Sequence, residues 1–276
     1  MKTVLSIQDL SCVGRCSLTV ALPVLSAMGC QCSVLPTAVL STHTGFPDPK
    51  VVSLTEHLAG FDRHWQSLGL SFDAVAVGYL ANASQAQALL PLLSRYKAQG
   101  STLVLDPAMG DHGRLYSGLA QDHALAVAKL CKEADILVPN LTEAALLTDI
   151  PYQEQADQKY LSSLLRELVG RYGVRGAVIT GVSEKDTMTG FWGISDGEIF
   201  SYETPLIPRR CHGTGDLFTA VLTGGLLRGL SLYESGVLAA DFVRLCVSGT
   251  PSVSPHGVEF ETQLSFLYHY ASSGRF

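Results

Sequence analysis

The chain has 276 residues, 47% of them hydrophobic, and a formal net charge of −6. That length suits one large α/β domain or two small ones, with apolar mass enough for a sizeable core. The acidic balance excludes nucleic acid and anionic membrane as main partners, while leaving room for an anionic nucleotide held by local N–H groups.

In chain order, residues 3–7 read as a buried strand, 8–15 as a polar loop, and 18–28 as an apolar helix stopped by Gly29. Residues 33–39 form a second strand rich in β-branched side chains. The loop that follows, 41–49, is too dense in turn residues to be regular. A helical stretch spans 54–67, and a short apolar strand at 73–79 ends in Gly78-Tyr79. Then come a helix at 84–99, a strand at 102–105 ending in Asp106-Pro107, a helix at 119–132 and a strand at 135–138. Pro139-Asn140-Leu141-Thr142-Glu143 opens a short helix. A helix at 155–172 and a strand at 176–180 follow. Residues 188–194 and 198–202 predict a hairpin around Ser195-Asp196-Gly197, because Asp-Gly favours a tight turn. The stretch Arg210-Cys211-His212-Gly213-Thr214-Gly215-Asp216 then leads into an apolar helix ending at Arg228-Gly229, with further helices at 232–247 and 262–270.

Strand–helix alternation with near-continuous apolar strands predicts a mostly parallel sheet covered by helices on both faces. No linker divides the chain, so one domain over 1–276 is expected. Seven cysteines without metal-ligand spacing read as buried free thiols in a reducing, cytoplasmic setting. The N-terminal apolar run breaks too early for a signal peptide, and no run of about 20 apolar residues could span a bilayer.

In such sheets ligands sit beyond the carboxyl ends of the strands. Asp9, His43, Thr44, Tyr79, Asp106, Asn140 and Thr180 all fall at those ends, and the glycine loop adds Asp216. A glycine loop entering a helix N-terminus makes an anion site from unpaired N–H groups and the helix dipole. A carboxylate there, taking a proton from a hydroxyl, has the geometry of phosphoryl transfer without a Walker loop. The plainer reading is a turn at Gly213 and Gly215 with Asp216 favouring the helix start.

Taken together, these stretches resemble the pyridoxal kinase family of the ribokinase-like superfamily over nearly the whole length. The resemblance rests on Ser6-Ile7-Gln8, Ser41-Thr42-His43-Thr44-Gly45, Gly78-Tyr79, Asp106-Pro107, Pro139-Asn140-Leu141-Thr142-Glu143, Val178-Ile179-Thr180 and Gly213-Thr214-Gly215-Asp216. It is nearest to the branch usually labelled pyridoxamine kinases. The resemblance implies a three-layer fold and ATP-dependent phosphorylation of the 5′-hydroxymethyl group of pyridoxal, pyridoxamine or pyridoxine, in a cytoplasmic homodimer. It implies Asp216 as the base, with the N–H groups of Gly213, Thr214 and Gly215 as anion hole. Asp9, His43, Thr44 and Tyr79 would hold the pyridine ring. Asp106, Tyr116, Asn140 and Thr180 would meet the nucleotide. Glu143 and Asp106 would serve Mg²⁺, with a monovalent cation as an option. The departure is Asp9, where many members have Ser contacting the ring. An acid there would pair with a protonated ring nitrogen, with an amine substituent, or with Arg15 of the chain itself.

Several residues carry a plainer role beside the functional one. Asn140 and Glu143 fit a capping box, Asp106 could close a strand, His43 could be a loop hydrogen-bonder, and Tyr79 a half-buried aromatic. His57, His64, His112, His123, His256 and His269 read as structural; Cys12 and Cys211 have no adjacent base. Rival functions are a hydroxymethylpyrimidine or sugar kinase of the same fold, or an idle relative that only binds a B6 vitamer. Pyrimidine kinases tend to carry Cys where Asp216 stands, and sugar kinases usually have a longer polar N-terminal lid.

Overall fold

In a computed structural model, residues 1–272 are described. Elements follow in chain order as β1 (Thr3–Ser11), α1 (Leu18–Ala27), β2 (Gln31–Leu40), β3 (Val51–Ser53), α2 (Thr55–Ser67), β4 (Ala74–Val77) and α3 (Ala83–Ala98). Next are β5 (Thr102–Leu105), the small strands β6 (Gly110–Asp111) and β7 (Arg114–Leu115), α4 (Gln121–Cys131), β8 (Ile136–Leu137), α5 (Leu141–Thr148) and α6 (Gln158–Tyr172). The chain continues with β9 (Gly176–Val182), β10 (Met188–Ser195), β11 (Glu198–Pro205), α7 (Thr214–Leu227), α8 (Leu232–Gly249) and, after a short 3₁₀ turn at Glu261–Gln263, α9 (Leu264–Ser272).

Nine strands form one sheet in the order β11-β10-β9-β8-β5-β4-β1-β2-β3. The six central strands, β9 to β2, are parallel, and β3, β10 and β11 join the edges antiparallel. Alternation along each strand explains the unbroken apolar runs. Leu5, Ile7, Val75, Val77, Leu103 and Leu105 face a core shared with α3, α4 and α6. Val4, Ala76, Val104 and Val178 face the opposite core, built with α1, α7 and α8. Both faces are dry, so both parities must be apolar. This is the three-layer arrangement the alternation predicts.

The structure departs from expectation at the first loop. The strand predicted to end at Ile7 continues to Ser11, and its pairing with β2 slips between Gln8 and Leu10. Asp9 therefore sits within a bulged strand, not in a loop beyond it. A bulge re-aims a side chain without ending the strand, which periodicity alone does not reveal. The edge strand β3 was also not foreseen, because its three residues are all exposed and show no alternation. The hairpin is as predicted: Asp196 and Gly197 both have positive φ, 52° and 81°, as a tight type I′ turn requires. Among the described residues no helix is long and apolar enough to cross a membrane.

Candidate active site

The parallel strands end on one edge, and their order sorts the candidate residues into two groups. Thr180, Asn140 and Asp106 come from β9, the end of β8 and the end of β5. Tyr79, Asp9 and His43 come from the end of β4, from β1 and from the loop after β2. A cavity of about 690 Å³ is lined by Asp106, Tyr116, Asn140, Glu143, Thr180 and the loop from Gly213 to Asp216. Asp9, His43, Thr44 and Tyr79 are not among its lining residues; they belong to the neighbouring half of the edge.

Asp216 stands at the boundary. It lies in the first turn of α7, with Gly213 as N-cap at φ 86°. A β-carbon at Gly213 would lie 2.1 Å from the Arg15 carbonyl oxygen, so the loop can pass only as glycine. Burial pushes the Asp216 carboxyl up to about 6, and the negative charge of Asp9 adds to this. The backbone N–H of Ser17, directed at the Asp216 carboxylate, pulls the other way. A base with that value is poised near neutral pH.

On the cavity side, Asp106 accepts a hydrogen bond from the Thr219 hydroxyl at 3.0 Å. Its carboxyl is raised well above the ordinary range by burial, then by the charges of Glu143 and Asp216. Glu143 is pushed up to about 7, burial outweighing the backbone N–H groups that hold it. Those are Met109 and Asn140, at 3.0 and 2.8 Å, with Gly110 at 3.4 Å. The Asn140 side chain in turn accepts from the Glu143 N–H, so the capping box is formed. Asn140 also donates to the Gly110 carbonyl, and Thr142 accepts from Gly113. The α5 N-terminus thus pins the β6–β7 hairpin that precedes Tyr116, whose phenol is raised by burial and by Glu143, Asp106, Asp111 and Asp216. Thr180 is joined to Asn140 by an isolated parallel bridge.

The oxygen chemistry fits a magnesium ion. Asp106, Glu143 and Asp216 are mutually unfavourable as anions, and none makes an ion pair among the described residues. No three acidic, His or Cys side chains form a ready cage among those residues. Mg²⁺ keeps its waters and uses one or two carboxylates with phosphate oxygens, which Asp106 and Glu143 on the cavity wall could supply.

On the other side, Asp9 is 3% exposed and, among the described residues, has no cationic partner at ion-pair distance. It accepts from the Ser17 hydroxyl at 2.5 Å and the Ser11 hydroxyl at 3.1 Å. Burial raises its pKa, partly offset by those bonds and by His43. The Arg15 partnership is overturned: Arg15 binds Glu261 at 2.6 Å and approaches Glu259 at 3.8 Å. The chain folds back from α8 to bring those acids to Arg15, a contact 246 residues apart that local spacing cannot foretell. Tyr79 is raised by burial and by Asp9, which places its phenol in the field of that acid. Gly78 is small for a reason: a β-carbon there would lie 2.3 Å from Gln8 Oε1.

His43 is engaged on both nitrogens. Nδ1 accepts from the Gly45 N–H at 3.0 Å, leaving Nε2 to donate to the Pro255 carbonyl at 2.9 Å. Its ring packs 4.9 Å from His212, beside the glycine loop, and 4.9 Å from Phe46. His43 therefore ties the 41–49 loop to two others, while Thr44 next to it is exposed. Desolvation and His43 hold His212 below the usual imidazole range.

Sequence reasoning missed Ser11, Ser17, His212 and Thr219. Thr219 had a signal, since it lies three residues after Asp216 on one helix face. Ser17 had none. Of the cysteines, Cys211 lines the cavity and Cys12 is exposed. Cys16, not singled out, lies near Asp216, but burial pushes its thiol to about 12, so it is no thiolate.

A family model described as phosphomethylpyrimidine kinase matches residues 24–259. A pyridoxine/pyridoxal/pyridoxamine kinase of Bordetella avium (strain 197N) is 30% identical over 242 residues, covering 83% of this chain and 79% of that protein. The crystal structure of pyridoxal kinase from Lactobacillus plantarum superposes with a TM-score of 0.90 at 34% identity, over 100% of both chains. A Bacteroides thetaiotaomicron protein crystallised with pyridoxal gives 0.91 at 33% identity, over 96% of this chain and 95% of that one. The chain belongs to the pyridoxal kinase family of the ribokinase-like superfamily, and is a kinase that transfers phosphate to an alcohol group.

Proposed function

We propose that this kinase phosphorylates the 5′-hydroxymethyl group of a B6 vitamer, with ATP as donor. The observation that carries the reading is the place of Asp216: a carboxylate near neutral pKa, at a helix N-terminus, between a large cavity also lined by Asp106 and Glu143 and a pocket edge marked by a buried acid. ATP would occupy the cavity, its phosphates toward Gly213-Thr214-Gly215 and flanked by Asn140, Thr180 and Tyr116. The vitamer would lie by Asp9, His43, Thr44 and Tyr79.

In the reaction, Asp216 takes the hydroxyl proton as the acceptor oxygen bonds to the γ-phosphorus. The bond from that phosphorus to the β,γ-bridging oxygen breaks, and ADP leaves. Backbone N–H groups of residues 213–215 stabilise charge on the transferred group. Mg²⁺, when bound through Asp106 and water held by Glu143, would supply positive charge to the phosphates. Asp9 offers an anionic acceptor to a ring N–H or an ammonium group.

The vitamer assignment is supported by relatives that carry pyridoxal kinase names or bind pyridoxal in a crystal. The family model's description favours a second reading, phosphorylation of hydroxymethylpyrimidine. A coupled ADP-release assay across pyridoxal, pyridoxamine, pyridoxine, hydroxymethylpyrimidine and ribose separates them. Turnover with hydroxymethylpyrimidine exceeding that with every vitamer would overturn the B6 reading.

A further inference from the structure

Ser17 combines three features that its neighbours in sequence do not explain. Its backbone sits at φ 49° and ψ −128°, a region that glycine adopts freely and a side chain rarely does. It is the N-cap residue of α1, yet its hydroxyl makes no capping bond. Serine is favoured at that position because its oxygen accepts from the first turn, so the role is forgone here. The buried hydroxyl donates instead to Asp9 Oδ1 at 2.5 Å, and the backbone N–H of the same residue favours the charged form of the Asp216 carboxyl. Strained backbone at a site persists where the surroundings demand it. What they demand is a hydroxyl where glycine would be easier.

We propose that Ser17 is a positioning residue of the kinase, one that fixes the Asp9 carboxylate and the Asp216 base relative to each other. The hydroxyl binds Asp9 directly, and the amide of the same residue lies close enough to the Asp216 carboxylate to favour its charged form, so the two acids share one neighbour. The acceptor hydroxyl then reaches Asp216 in register only when Asp9 is held. The inference deepens the reading of Asp9 as a substrate contact and rests on it.

Ser17→Gly removes the hydroxyl while suiting the backbone, and Ser17→Ala removes it while keeping the strain. Both are expected to lower kcat/KM for the acceptor by about 10-fold, the scale of one charge-assisted hydrogen bond. KM for ATP stays unchanged, and Ser17→Gly, which relieves the positive φ, melts higher than Ser17→Ala. A double-mutant cycle with Asp9→Ala, which leaves the Ser17 hydroxyl no acceptor at that position, gives the decisive readout. If the hydroxyl acts through Asp9, the double variant is no slower than Asp9→Ala alone. Full activity in both Ser17 variants, a loss confined to KM for ATP, or losses that multiply in the double variant would each overturn the proposal. A wild type inactive with all three vitamers would instead sink the B6 reading, and the cycle is then run with the alcohol it does phosphorylate, hydroxymethylpyrimidine first.

Discussion

Thr219 donates its hydroxyl proton to Asp106 Oδ2 at 3.0 Å, three residues along α7 from Asp216. That bond locks the helix carrying Asp216 to the end of β5. Thr219→Val keeps the shape and leaves a buried carboxylate oxygen without its donor, a loss of about 1.5–3 kcal/mol. The Asp106 pKa, already raised, should climb further, because Thr219 is one of the groups lowering it. The expected outcome is a higher Mg²⁺ concentration for half-maximal rate. A Mg²⁺ titration matching wild type would reduce Thr219 to a brace between helix and strand.

Asp216→Asn should fold and bind ATP but lose about 10²–10⁴-fold in kcat, since Asn keeps the shape without the base. In the wild type, kcat/KM should fall as pH drops through about 6, because only the carboxylate accepts a proton. Stability has the opposite sign. The folded value lies above the ordinary 3.8, so the group stabilises the fold at low pH and that contribution is lost as pH rises through about 6. At pH 7.5 the Asn variant should therefore melt no lower than wild type. Near-normal kcat in Asp216→Asn would refute the base assignment.

Glu143→Gln tests a residue with two duties. Gln turns an NH₂ group toward one of the backbone N–H donors that Glu143 now accepts from, so the melting temperature should fall. Because a negative charge beside the phosphates also disappears, the Mg²⁺ requirement should rise. A lowered melting temperature with an unchanged Mg²⁺ titration would leave only the capping box.

Asp9→Ser should reduce kcat/KM for pyridoxamine by more than about 10-fold relative to pyridoxal, because the ammonium group would lose a charge-assisted bond. Equal losses for the two vitamers would separate Asp9 from the amine.

Arg15→Ala should leave vitamer preference intact. Its acids, Glu259 and Glu261, are 40% and 51% exposed in their side chains, so the cost is expected to be at most about 1 kcal/mol. A change in preference would reconnect Arg15 to Asp9.

What the sequence determined by itself is whatever depends on neighbours along the chain. Apolar strands alternating with helices predicted the layered parallel sheet, because a sheet buried on both faces needs unbroken apolar runs. The strand ends marked Asp106, Asn140 and Thr180, and the Gly213–Asp216 motif located the glycine loop that opens α7 beside them, because parallel topology brings those ends to one edge. The Asn140–Glu143 spacing also foretold the capping box, a purely local device. The tertiary structure alone decided how Asp9 is held. Arg15 lies six residues from it, but the electrostatic pull on that cation comes from Glu259 and Glu261 across the fold. The register slip in β1 and the positive φ of Ser17 are likewise features of the folded chain that no sequence periodicity marks. A carboxylate's partner and a backbone's strain are set by distance in space, and no pattern of spacing along the chain encodes them.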